Sequence, residues 1–176
     1  MAARGVDVVT FNFLYTERHR RMPDRGPVLE SCYAAVMNAV RDRVESAARA
    51  LFIGGKSMGG RIATQVAAAA TGAPVTGLVL LGYPLHPPGR PDQRRDAHLP
   101  AVRRPMLFVQ GSRDAFGTPA ELSPIVAQLT PPAVLHVVDG GDHSFKLSRT
   151  NPAAQAAVYD AVQRAIVGWI GTIIGT

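Results

Sequence analysis

The sequence predicts an α/β fold, a three-layer α/β/α sandwich around a mostly parallel sheet, and three observations predict it. Short runs of β-branched and aliphatic residues alternate with longer stretches whose apolar residues recur every three or four positions. Two of the short runs, 50–54 and 75–83, are apolar on both faces, as strands covered on both sides are. No segment repeats or drops to low complexity, so the alternation reads as one sheet with helices packed over it. At 176 residues, 47% apolar and 18% charged, the chain is long enough for one substantial core and too short for two. We read residues 1–176 as a single domain.

Val6–Phe13 reads as the first strand, opened by Arg4-Gly5. A polar loop punctuated by Pro23 and Gly26 follows. Leu29, Tyr33, Val36, Val40, Val44 and Ala47 then mark one face of a helix over 27–48. Ala50–Gly54 is a short buried strand ending in Gly54-Gly55, and Arg61–Ala70 is a small-residue helix closed by Gly72 and Pro74. Val75–Tyr83 is the next strand, followed by a proline-rich excursion over 84–105 in the place of a cap, then a strand over Met106–Gln110. Thr118-Pro119-Ala120-Glu121 is a capping box with proline at the first helical position, and Leu122, Ile125, Val126 and Leu129 continue that helix. Ala133–Val138 is a fifth strand. Asn151-Pro152 opens a last helix with an expected buried face of Ala154, Val158, Ala161, Ala165 and Trp169.

Composition removes several function classes. No run reaches the roughly 18 apolar residues of a membrane span, and the N-terminus lacks the apolar core and cleavage site of a secretory signal. We expect a cytoplasmic protein with no membrane partner. The one cysteine, Cys32, permits neither an internal disulfide nor a cysteine-rich metal site, and it lies in a helical pattern that suits a buried thiol. The net charge of +6 raises nucleic acid as a partner. The excess is concentrated in two arginine runs, 18–25 and 90–104, with no interleaved aromatics for base stacking and no recognition helix. We expect no nucleic-acid partner.

The chemistry sits in loops that follow strands, where ligands bind in open parallel sheets. Gly55-Lys56-Ser57-Met58-Gly59 is a G-x-S-x-G turn between a strand and a helix. Such a turn lifts a serine clear of the sheet in a strained conformation, and Gly55 and Gly59 leave room for it. The helix beginning there directs free N–H groups at any anion that forms, with Met58 N–H the nearest. A serine hydroxyl needs a positioned base, and the base needs an orienting carboxylate. Asp114 follows one later strand and His143 follows the last, so Ser57, Asp114 and His143 form the expected catalytic set. Asp139 and Asp142 are rival partners for the histidine but belong to its own turn. His86 lies directly after a strand and could line the rim, as could Arg18 and Arg94, whose runs favour an anionic acyl substrate. His19, His98 and His136 read as structural. Gly54-Gly55-Lys56-Ser57 also resembles the end of a phosphate-binding loop, but that motif needs glycine where Ala50 stands.

These motifs, with GGKSMGGR (54–61), GYPLHPPG (82–89), QGSRDAFG (110–117) and GDHSFK (141–146), resemble the α/β-hydrolases, in particular a dienelactone-hydrolase-like branch of small bacterial predicted hydrolases. The resemblance covers nearly the whole chain. It implies Ser57 as nucleophile, His143 as base and Asp114 as acid, a serine esterase with no metal and no organic cofactor. It also implies an upstream strand and an H-G-x-G-type oxyanion loop that have no counterpart before Met1, so the fold is expected in an N-terminally shortened form. The edge thereby opened could pair with a second copy in a homo-oligomer. Loss of the loop's oxyanion donor also fits a non-catalytic interaction protein that retains the scaffold.

Overall fold

Four parallel strands, β1 (Phe52–Lys56), β2 (Gly77–Leu81), β3 (Met106–Gly111) and β4 (Val134–Val138), lie side by side in chain order. The computed structural model describes residues 1–69, 74–148 and 151–175. Among these, the α-helices are α1 (Leu14–Glu17), α2 (Gly26–Arg43), α3 (Glu45–Arg49), α4 (Met58–Ala68), α5 (Pro119–Val126) and α6 (Pro152–Ile174). Successive side chains of a strand point to opposite faces, and each face here has its own cover. Leu78 and Leu80 of β2 and Met106 and Phe108 of β3 pack with α2, α4 and α5. Val79, Leu81, Leu107 and Val109 face α6. The three layers expected from the alternation are therefore present. No described helix is long and apolar enough to cross a membrane.

Several elements differ from the sequence reading. The helix expected over 27–48 is interrupted at Val44, whose extended backbone (φ −116°, ψ 109°) separates α2 from α3. The next helix starts at Met58, directly after Ser57. Its expected end at Ala70 and closing residue Gly72 lie outside the described residues. In α6 the buried face is Val162, Ile166, Trp169 and Ile170, with Ala154 and Ala161 exposed. Both stripes have helical spacing, and the one with larger side chains removes more apolar surface from water.

Val6–Phe13 forms no strand. Val8 and Val9 are more than half exposed, and among the described residues the segment has no ladder partner. The outer edge of β1 is already engaged. Tyr33 of α2 donates its hydroxyl to Gly54 C=O at 2.6 Å and accepts from Gly54 N–H at 2.9 Å. Phe11 and Phe13 pack on the ring of Tyr33, with centroids 5.2 and 6.4 Å away. The expected strand therefore packs on the tyrosine that holds the β1 edge rather than pairing with it.

Burial pushes the Tyr33 hydroxyl up from 10.0 to about 12, which keeps the proton that this double role needs. A raised folded-state value stabilises the fold below pH 10 and loses that contribution as pH climbs towards 12. Tyr33→Phe is expected to unfold more easily at pH 8 but to show a shallower fall in stability between about pH 10 and 12. Urea titrations across that range measure both effects.

Candidate active site

Ser57 occupies the single-residue turn between β1 and α4 with φ 52° and ψ −122°, a conformation that costs a non-glycine residue on the order of 1–3 kcal/mol. It is fixed from both sides. Ser57 N–H donates to Leu81 C=O of β2 at 2.9 Å, and Ser57 C=O accepts from Arg61 N–H at 3.1 Å. The glycines around the turn divide their work differently from the motif reading. A Cβ on Gly55 would come within 3.0 Å of Gly59 backbone, and one on Gly60 within 2.6 Å of Gly55 C=O. Gly59 has open space within 4 Å. The turn is tight because strand and helix touch at Gly55 and Gly60, so the expected steric need for Gly59 is corrected to Gly60.

The structure brings Ser57, His143 and Asp114 into one hydrogen-bonded chain. Ser57 Oγ lies 2.8 Å from His143 Nε2, and His143 Nδ1 lies 2.8 Å from Asp114 Oδ2 and 3.0 Å from Oδ1. A carboxylate only accepts, so Nδ1 carries the proton and Nε2 is free to accept from the serine hydroxyl. Asp114 is 1% exposed and its oxygens are filled from the protein side as well. Phe116 N–H donates to Oδ1 at 2.8 Å and the Gln110 amide donates to Oδ2 at 2.8 Å. The imidazole rests against Phe116, ring centroids 4.3 Å apart. Gly82 (φ +61°) also lies against His143, since a Cβ there would meet His143 C=O at 2.9 Å and Nδ1 at 3.3 Å. Lys56 Nζ, beside the serine, donates to Ser144 Oγ, beside the histidine, at 2.7 Å.

The other singled-out residues stand elsewhere. Asp139 and Asp142 do not touch His143. The first accepts from Ser112 Oγ and Gly140 N–H, the second from Ser144 and Lys146 N–H. His86 is 6% exposed and places its ring nitrogens on Pro87 C=O and Glu121. Its backbone N–H donates to Phe116 C=O at 3.1 Å, which ties its loop to the residue packed on His143. Arg94 grips Asp96 with Nε and Nη2, at 3.1 and 2.6 Å. Arg18 is exposed at the end of α1. Sequence reasoning missed Gln110, Phe116, Gly60 and Gly82 as parts of the site. Gln110 had a signal, since a polar residue inside an otherwise apolar strand must find partners.

A parallel α/β sheet with a left-handed serine between strand and helix, and with an acid and a histidine joined past two later strands, is the arrangement of the α/β-hydrolase class. The chain belongs to the alpha/beta hydrolase domain family, whose model matches residues 1–171. Solved structures agree on the fold. A dienelactone hydrolase from Anabaena variabilis is 23% identical, covering 84% of this chain and 62% of its own, with TM-score 0.58. An alpha-beta serine hydrolase homologue from Coxiella burnetii is 22% identical, covering 70% and 54%, with TM-score 0.55. A lidless α/β serine hydrolase from Xanthomonas campestris is 21% identical, covering 82% and 60%, with TM-score 0.54. The chain thus spans between about half and two thirds of the length of these proteins.

The glycine assignments make a direct test. Gly60→Ala is expected to lose about 1–3 kcal/mol of stability through overpacking. Gly59→Ala, at a helical position with free space, should be neutral or gain up to about 1 kcal/mol. Urea unfolding followed by the fluorescence of Trp169, the one tryptophan, distinguishes them.

Proposed function

We propose that the protein is a serine hydrolase that cleaves an ester or similar acyl bond of a small molecule through an acyl-enzyme. One observation carries this reading: the unbroken chain of hydrogen bonds from Ser57 Oγ through the imidazole of His143 to the buried carboxylate of Asp114, with 2.8 Å at each link.

Ser57 Oγ attacks the acyl carbon while His143 Nε2 takes its proton. Asp114 holds the ring by Nδ1–H and stabilises the imidazolium as it forms. The strained turn serves as a nucleophile elbow, presenting Oγ where α4 begins. There the Met58 N–H and the positive end of the helix face the developing oxyanion. The imidazolium then protonates the leaving alkoxide, and the acyl group stays on Ser57. Water, deprotonated by the same imidazole, attacks the ester carbonyl and releases the acid. Close packing of the ring against Phe116 and Gly82 supports this cycle, since a base held in line with both partners works in each half-reaction.

The loop over 84–105 carries only one 3-10 turn, at Leu99–Ala101, and Tyr83, Leu85 and Leu99 at or within it are buried in the core. A loop pressed down in this way leaves the serine approachable, which favours short or flexible acyl groups.

Fluorophosphonates are expected to label the wild-type protein and not Ser57→Ala. Hydrolysis of p-nitrophenyl butyrate should vanish in Ser57→Ala and fall by about a thousand-fold or more in His143→Ala and Asp114→Asn. Labelling that persists in Ser57→Ala, or its absence from folded wild type, would overturn the proposal.

A further inference from the structure

Two bonds, not one, join the turn that carries Ser57 to the turn that carries His143. Ser57 Oγ meets His143 Nε2 at 2.8 Å, and the residues beside them meet as well, Lys56 Nζ donating to Ser144 Oγ at 2.7 Å. Among the described residues these are the only hydrogen bonds between 56–60 and 141–147. Lys56 is exposed. An ammonium in water gains little stability from a neutral hydroxyl and loses side-chain freedom when held to it, so the effect of this bond lies in the separation it fixes.

The histidine turn is otherwise tied away from the serine. Within it, Gly141 and Leu147 form an antiparallel bridge, and Asp142 Oδ1 accepts from Ser144 N–H at 2.7 Å and from Lys146 N–H at 2.9 Å. From outside, the Gln155 side chain of α6 accepts from Leu147 N–H at 3.0 Å and donates to Phe145 C=O at 2.9 Å, and Arg113 N–H donates to Gly141 C=O at 2.9 Å. Phe145 sits in this turn at φ 62°, a conformation that side chains rarely adopt. On the nucleophile side the turn has the links to Ser57 and Lys56.

The reaction treats those two links differently. Once Ser57 is acylated, Oγ is bonded to the acyl carbon and has no proton to donate. The imidazolium has by then given its proton to the leaving alkoxide, so Nε2 has none either, and the hydrogen bond between Ser57 and His143 is gone. Lys56 and Ser144 take no part in these proton transfers, and their bond persists. We propose that Lys56 is a positioning residue: through Ser144 it keeps the His143 turn in place while Ser57 is acylated, so that Nε2 stands ready to deprotonate the water that releases the acid. The inference rests on the hydrolase reading of Ser57 for its kinetic consequence, but not for the tether itself.

The test separates acylation from deacylation with p-nitrophenyl acetate. Rapid release of p-nitrophenol reads the first, and loss of the acetyl group from Ser57, followed by mass spectrometry, reads the second. Lys56→Met and Ser144→Ala are each expected to slow deacylation at least about tenfold while acylation stays within about threefold, since a misplaced catalytic group costs up to about a hundredfold. The double variant should be no slower than the single ones, because both remove the same bond. Lys56→Arg should recover most of the loss, and Lys146→Met, which removes a charge from the same turn, should leave both steps unchanged. Equal slowing of both steps in Lys56→Met, additive losses in the double variant, or slow deacylation in Lys146→Met overturns the proposal.

The tether is read without turnover in Ser57→Ala, where the Oγ link is absent as it is in the acyl-enzyme. Amide exchange over 141–147 is expected to stay slow there and to rise at least about tenfold in Lys56→Met/Ser57→Ala. No rise overturns the tether whatever the kinetics. If the rise is seen and no acyl group reaches Ser57 in the wild type, the tether stands and the hydrolase reading falls.

Discussion

Gln110 has no contact with solvent, and the way it fills its hydrogen bonds decides where Asp114 stands. Its carbonyl oxygen accepts from Tyr83 N–H at 2.8 Å, and its amide nitrogen serves Asp114 Oδ2 at 2.8 Å and Gly117 C=O at 2.7 Å. Tyr83 follows Gly82, the residue against which His143 rests, so one amide inside β3 ties together the loop behind the histidine and the loop that carries its acid. Removing that amide would leave several buried groups unpaired at once, at about 1–3 kcal/mol each. The site is therefore held from within the sheet as well as at its rim. The segment after β3 is positioned because the buried Asp114 carboxylate and Gly117 C=O are both held by that amide.

The parallel sheet does the rest of the placement. Four strands in chain order put every strand's carboxyl end on one side, and Ser57, Asp114 and His143 follow β1, β3 and β4. Residues 86 positions apart in the chain, Ser57 and His143, meet at 2.8 Å because their loops leave the same end of the sheet with only β2 and β3 between the strands they follow. The two faces of that sheet are closed by different helices, which keeps most strand positions apolar and leaves most of the charged and polar residues to the loops.

Much of this was legible in the sequence because local and global signals agree. The apolar runs ending at Gly54-Gly55 and at Tyr83 could be strands only if covered on both faces, and they are. G-x-S-x-G, Asp114 and His143 each follow a strand, which is why three distant residues could be brought together on paper. What could not be read depended on partners. Val6–Phe13 has the composition of a strand, but a strand exists only where a neighbour offers a free edge, and Tyr33 holds that edge at Gly54. The face of α6 was ambiguous because two stripes share the helical period, and volume rather than spacing decided for Val162 and Ile166. Gly60 and Gly82 carry no motif; their need for a missing Cβ appears only when another chain segment is seen pressing on them.

The most direct measurement is a crystal structure of the protein after reaction with a fluorophosphonate. The account predicts phosphorus bonded to Ser57 Oγ, the phosphoryl oxygen within hydrogen-bonding distance of Met58 N–H, and His143 still bridging to Asp114. Modification at another residue, or an adduct on Ser57 with the imidazole swung away from Asp114 and the phosphoryl oxygen facing solvent, would contradict it.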